Sequence, residues 1–190
     1  MKGRIITALV IILLTSCEKG DPDTTTLKFF SKSFRETGNS IAVALDEEGK
    51  DLYYYICGQF TDKLANNAEK RPGVLRTGTD GNLIDSAMTL SGWEGSASRI
   101  ITLDNGDVVC TGYVLNGSYG QDVFVWRLNP DLTAGESRIY ENSDNQYGVD
   151  ILETDDGFLV LATTDKKREP AGEVTGNPQG KKDILLMKIG

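Results

Sequence analysis

The chain of 190 residues contains no histidine. That absence removes the commonest general base near neutral pH, the Ser-His-Asp arrangement and most zinc sites together. Cysteine is scarce as well, with three in all. Only Cys57 and Cys110 lie in the body of the sequence, too few for a disulfide scaffold, so the fold must be held by its core. Positive charge is outnumbered, 20 Lys and Arg against 28 Asp and Glu, for a formal charge of −8. A net-negative body repels nucleic acid unless it carries a concentrated basic stripe, so no nucleic-acid partner is expected. Beyond the first twenty residues no window holds a helical period. No motif calls for a cofactor or a resident metal.

What is present begins at the amino terminus. Lys2 and Arg4 precede an apolar run, Ile5 to Leu14, too short to span a bilayer as a resident helix. Leu14-Thr15-Ser16-Cys17 closes that run and resembles the lipobox of bacterial lipoproteins. The resemblance implies a signal peptide over 1–16, a Cys17 thiol that receives a diacylglyceryl group, and an acylated new amino terminus at Cys17. Residues 17–26 are polar and bear Pro22, so they read as a flexible tether. The acidic start of the tether resembles the signal that exports Bacteroidota lipoproteins to the cell surface. Outer membrane or cell surface, with the membrane as partner through the lipid, is the localisation this implies.

From Leu27 to Gly190 apolar runs alternate with Gly, Asn and Asp turns, an all-β pattern that also repeats. Ser40–Gly49 aligns with Arg99–Gly106 and Asp150–Gly157, each a short strand followed by an acidic turn ending in glycine. Second strands follow at Leu52–Gly58, Asp107–Gly112 and Phe158–Ala162. Third strands follow at Gly73–Arg76, Asp122–Leu128 and Asp183–Ile189, and fourth strands at Leu83–Leu90 and Glu136–Tyr140. These units resemble the kelch-like β-propeller repeats of Bacteroidota envelope proteins. The resemblance departs from that family in having a single glycine at each turn and Arg76 where lysine is usual. It implies three tandem four-stranded antiparallel sheets stacked as blades over 27–190, a partial or open propeller. A β-sandwich of similar hairpins is the rival architecture.

Three blades are fewer than the four to eight that close a ring. The third unit lacks an outer strand, whereas Leu27–Phe34 is a spare one at the start. A truncated reading frame is the favoured explanation; a homodimer completing a propeller and an open arc are the others. Alignment of Gly58 with Gly112 puts Cys57 opposite Thr111 and Cys110 opposite Ile56, so the two thiols lie on opposite faces of their own sheets. They point either at each other across the first two units or away. Stacked sheets sit about 10 Å apart and a disulfide needs Cα atoms within about 7 Å, so two free buried thiols are expected.

The repeat phase sorts connections onto two ends. One end gathers acidic turns such as Asp46–Gly49, Asp80–Gly81 and Asp155–Gly157, which tight hairpins explain better than calcium does. The other end carries the long connections, where binding residues concentrate. Trp93, Tyr113, Tyr119 and Tyr147 fall there with Arg71, Lys167 and Arg168, and aromatic faces beside polar groups suit a glycan or protein ligand. A membrane-anchored ligand-binding or scaffold module is therefore the first reading. A glycosidase or lyase using two of Glu36, Glu94 and Asp144 is the alternative, as is a fragment of a larger propeller protein.

Overall fold

Alternating apolar and polar residues place every second side chain on one face of a strand, and glycine-ended turns let the chain reverse at once. The structure is a computed structural model that describes residues 36–61, 69–89, 92–116, 120–133, 135–141, 145–165 and 183–190. Every regular element among them is a strand: β1 (Thr37–Leu45), β2 (Asp51–Thr61), β3 (Lys70–Thr77), β4 (Leu83–Met88), β5 (Gly95–Thr102), β6 (Val108–Asn116), β7 (Gly120–Leu128), β8 (Gly135–Tyr140), β9 (Gln146–Thr154), β10 (Gly157–Thr164) and β11 (Asp183–Ile189).

The strands form three antiparallel sheets in chain order, β1 to β4 (sheet A), β5 to β8 (sheet B) and β9 to β11 (sheet C). The all-β class and the three units match the repeat read from the sequence. Sheet C shows three strands among the described residues. Leu27–Phe34, the strand expected to complete it, lies outside them, as do the signal peptide, Cys17 and the tether.

A detail of register confirms that the units are equivalent. The first strand of each sheet carries one extra residue against its neighbour: Asn39 in β1, Ser98 in β5 and Val149 in β9. The pairs that close these bulges are Gly38 with Gly58, Ala97 with Gly112, and Gly148 with Ala162. Each pair holds at least one glycine because the bulged backbone comes so close. A Cβ on Gly112 would overlap the Ser96 carbonyl oxygen, and one on Gly58 would overlap that of Thr37.

The buried side chains fall into two cores, and sheet B contributes one face to each. Val108, Cys110, Val114, Phe124, Trp126 and Leu128 of sheet B share a core with Tyr55, Cys57 and Val74 of sheet A. The alternate residues Val109, Val123 and Val125 share the other with Ile151, Val160 and Ala162 of sheet C. Period-2 alternation in β6 and β7 thus serves two neighbours at once. The A–B side is also tied by polar contacts. The Pro130 carbonyl accepts from the Tyr55 hydroxyl at 2.7 Å and from an Arg76 guanidinium nitrogen at 2.8 Å, with Arg76 lying 5.1 Å over the Tyr53 ring. The Thr102 hydroxyl donates to the Val43 carbonyl at 2.9 Å. Cys57 and Cys110 are both free and buried in this A–B core, so of the two orientations it is the facing one that occurs.

Candidate functional site

Antiparallel order places the ends of β2, β4, β6, β8 and β10 together with the starts of β3, β5, β7, β9 and β11. At this end the polar residues that the described part buries are concentrated: Arg71, Thr89, Ser96, Asp122, Gln146 and Thr164. Burying a polar group costs free energy unless it is hydrogen-bonded. Accordingly, an Arg71 guanidinium nitrogen donates to the Thr89 carbonyl at 2.7 Å. The bulge residue Asn39 donates to the Ser96 hydroxyl at 2.9 Å and to the Ala97 carbonyl at 2.7 Å, and Gln59 donates to the Gly95 carbonyl at 2.9 Å. These contacts fix the first strand of sheet B against sheet A.

Between sheets B and C the same end carries an aromatic pair. Tyr113 near the end of β6 and Tyr147 at the start of β9 meet edge to face, ring centroids 5.5 Å apart and planes at 65°. Both rings are half-buried. Asn145 braces this corner: its side-chain oxygen accepts from the Gln121 amide, its amide nitrogen donates to the Asp165 carboxylate, and its carbonyl accepts from the Asp165 amide, each at 3.0 Å. Asn145 was not singled out in the sequence. The only signal there is that asparagine sits immediately before a strand, where its side chain commonly satisfies backbone groups.

The expected site residues do not all converge. Tyr113 and Tyr147 come together on the C-facing side of sheet B. Trp93 is half-buried against the A–B core, on the opposite side of that sheet. Arg71 is buried and engaged with Thr89. Tyr119, Lys167 and Arg168 lie outside the described residues. Of the carboxylates considered for catalysis, Glu94 is exposed, Glu36 is half-buried and Asp144 lies outside.

The acidic end is built from turn chemistry. Gly49, Gly81 and Gly106 have φ of 77°, 74° and 87°, the left-handed region that glycine enters without cost from a Cβ. An Asp46 carboxylate oxygen accepts from the Glu48 and Lys50 amides at 2.9 Å, and the side-chain oxygen of Asn105 accepts from the Asp107 amide at 3.0 Å. Asp107 also pairs with Arg127 at 2.6 Å.

The same end holds a feature that sequence reasoning missed, a cleft of about 240 Å³ between sheets B and C. Val125, Arg127, Glu136, Arg138 and Tyr140 line it from β7 and β8, facing Gly157, Phe158, Ile189 and Gly190. Among the described residues, β8 has no opposing strand in sheet C at this place. Burial raises the Tyr140 hydroxyl above its ordinary pKa of 10.0, against a smaller opposing pull from Arg138. The alternation of Val125 with Arg127, and of Arg138 with Tyr140, was visible, but which residues of sheet C would face them was not.

No family model matches the chain, and no curated protein matches it either.

Proposed function

We propose that this protein is a lipid-anchored envelope module whose three sheets are propeller blades and whose long-loop end binds a glycan or protein ligand. The anchor rests on the apolar run Ile5 to Leu14 closed by Leu14-Thr15-Ser16-Cys17. The blade reading rests on the repeated bulge and on the two cores that sheet B shares with its neighbours. The observation that carries the binding role is the half-buried Tyr113–Tyr147 pair at the end where buried polar groups gather. Aromatic faces reward apolar ring or side-chain surface, while fixed polar groups set orientation.

A glycan and peptide array probed with the detergent-solubilised full chain tests this. A hit whose affinity falls at least about tenfold in Tyr147→Ala, and is unchanged in the cleft variant Arg138→Glu, supports the tyrosine end. A hit that tolerates Tyr113→Ala and Tyr147→Ala but is lost in Arg138→Glu moves the site to the cleft and overturns the assignment.

A further inference from the structure

The register of sheets A and B gives each residue of the A–B interface a counterpart in the B–C interface. Ser40, Cys57 and Val74 form one row across sheet A just after its bulge, and Arg99, Thr111 and Val125 form the same row across sheet B. Two residues further along the third strand, Arg76 is the counterpart of Arg127, and each is turned towards the following sheet. In the fourth strand, Ala87 opposite Val74 is the counterpart of Arg138 opposite Val125. Thr89, whose amide donates to the Pro72 carbonyl, is the counterpart of Tyr140, which pairs with Val123.

Between sheets A and B this place is filled by the turn that follows β7. The Pro130 carbonyl accepts from Nη1 of Arg76 at 2.8 Å, and Leu132 lies in the A–B core at 6% exposure. Leu132 has a φ of 62°, the one positive φ outside glycine among the described residues. A side chain with a Cβ keeps that conformation only where packing compensates, so the turn is held by what it inserts. Between sheets B and C the same place is the cleft beside Tyr140. Its lining keeps the arginine but has Arg138 and Tyr140 where sheet A has the small Ala87 and Thr89. Asp107 engages Nε and Nη2 of Arg127 at 2.8 and 2.6 Å, which leaves Nη1, the atom that Arg76 turns to Pro130. Arg138 makes no ion pair among the described residues. The volume of about 240 Å³ is below the roughly 300–1,000 Å³ of clefts that take drug-sized ligands, so it admits a side chain or two of a turn and not an oligosaccharide.

We propose that the cleft is a peptide site that receives a turn of a second polypeptide, one in which a backbone carbonyl, an acidic side chain and an aliphatic side chain follow one another, as in Pro130-Asp131-Leu132. The carbonyl accepts from Arg127 as that of Pro130 accepts from Arg76. The aliphatic side chain packs against Phe158 and Ile189. The carboxylate meets Arg138, and because a hydrogen bond between two charged groups is about twice as strong as a neutral one, the acidic residue is what this cleft selects and the A–B place does not. The occupant is a polypeptide because its internal counterpart is one, and each of the three features has a group in the cleft that answers it. The inference rests on the register that makes sheets A and B equivalent, and not on the ligand at the tyrosine end or on the anchor.

The probe is a peptide of residues 128–133, Leu-Asn-Pro-Asp-Leu-Thr, capped at both ends and titrated into the isotope-labelled, detergent-solubilised full chain. At millimolar peptide the amide signals of Arg138, Tyr140, Phe158 and Ile189 should shift. Affinity should fall at least about tenfold in Arg138→Glu, and by a similar factor when the peptide carries asparagine in place of aspartate. In Arg138→Glu that change in the peptide should have no further effect, because the two groups act on each other. Arg138 is exposed, so its variants should keep the native amide spectrum, and Arg138→Gln removes the charge without reversing it. Absence of any shift at millimolar peptide overturns the inference, and so do shifts that persist unchanged in both Arg138 variants or that map to Tyr113 and Tyr147. Equal affinity for the aspartate and asparagine peptides overturns it as well. These readouts involve neither a glycan nor the tyrosine variants, so failure here is distinct from failure of the ligand site proposed above.

Discussion

The two thiols are among the most strongly perturbed residues. Burial pushes Cys57 up to about 12 from an ordinary 9.0, and burial pushes Cys110 well above the same value, with Cys57 adding to it. A raised thiol pKa means that the folded state holds its proton where the unfolded state releases it. The associated stability is fully present below pH 9 and is lost as pH rises from 9 towards 12. Urea midpoints should therefore be level from pH 7 to 8.5 and decline above 9, the decline being smaller in Cys57→Ala relative to its own neutral-pH value. Because the thiolate is the reactive form, labelling of Cys57 and Cys110 at pH 8 should require unfolding. Mapping of a maleimide adduct on either residue within seconds in native buffer would contradict this. The one-residue offset of the cysteines was legible from the alignment of Gly58 with Gly112. Which way they point was not, because a pattern of alternation fixes relative faces and says nothing of which face meets a neighbour.

At the scale of the element, the bulged first strand and its closing pair decide more than the exposed charges do. Gly112→Ala should destabilise by about 1–3 kcal/mol, since the added carbon has no space beside the Ser96 carbonyl and strands must shift. Ile100→Ala should cost about 2–5 kcal/mol by emptying part of the A–B core. Arg99→Ala should cost less than about 1 kcal/mol, although Arg99 reaches Asp150 at 3.0 Å, because both partners are about half exposed. Urea melts of the three variants, ranked in that way, test the claim that packing at the bulge and core outweighs the ion pair. Strand positions were readable because Ser40, Arg99 and Asp150 start matching runs, and the register makes those three residues equivalent. The bulge itself was hidden, since Asn39, Ser98 and Val149 share no side-chain chemistry. What they share is a backbone position, and only the small residues beside them hint at it.

At the scale of the molecule, stability should be graded from the centre outward. Sheet B has both faces of β6 and β7 buried, whereas β1 of sheet A and β11 of sheet C each leave one face exposed. Units that touch only their neighbours unfold from the ends. Amide exchange should therefore be slowest in Val108–Val114 and Val123–Leu128, and faster in β1 and β11; uniform protection across the three sheets would refute a nearest-neighbour account. The proposed anchor belongs to this scale too. Cys17→Ser should abolish membrane partitioning and leave the melting behaviour of the sheets unchanged, and fatty-acid labelling that persists in the variant would exclude lipidation at that residue. The composition legibly excluded histidine chemistry, and the repeat legibly set the number of sheets. The corner braced by Asn145 and the cleft beside Tyr140 were not legible, because each brings together residues of two neighbouring sheets and not of any one strand.

The shared bulge has a consequence for the ancestry of the chain. An extra residue shifts the pleat by one, so every side chain before it points to the face opposite the one a regular ladder would assign. Because all three first strands carry that shift at the same place, a whole unit could be copied, lost or exchanged between positions without any strand pointing its apolar side the wrong way. A chimera in which Thr37–Leu45 is replaced by the corresponding residues 96–104 should then keep its pairing. Deletion of Ser98 alone, a far smaller edit, should scramble the start of sheet B.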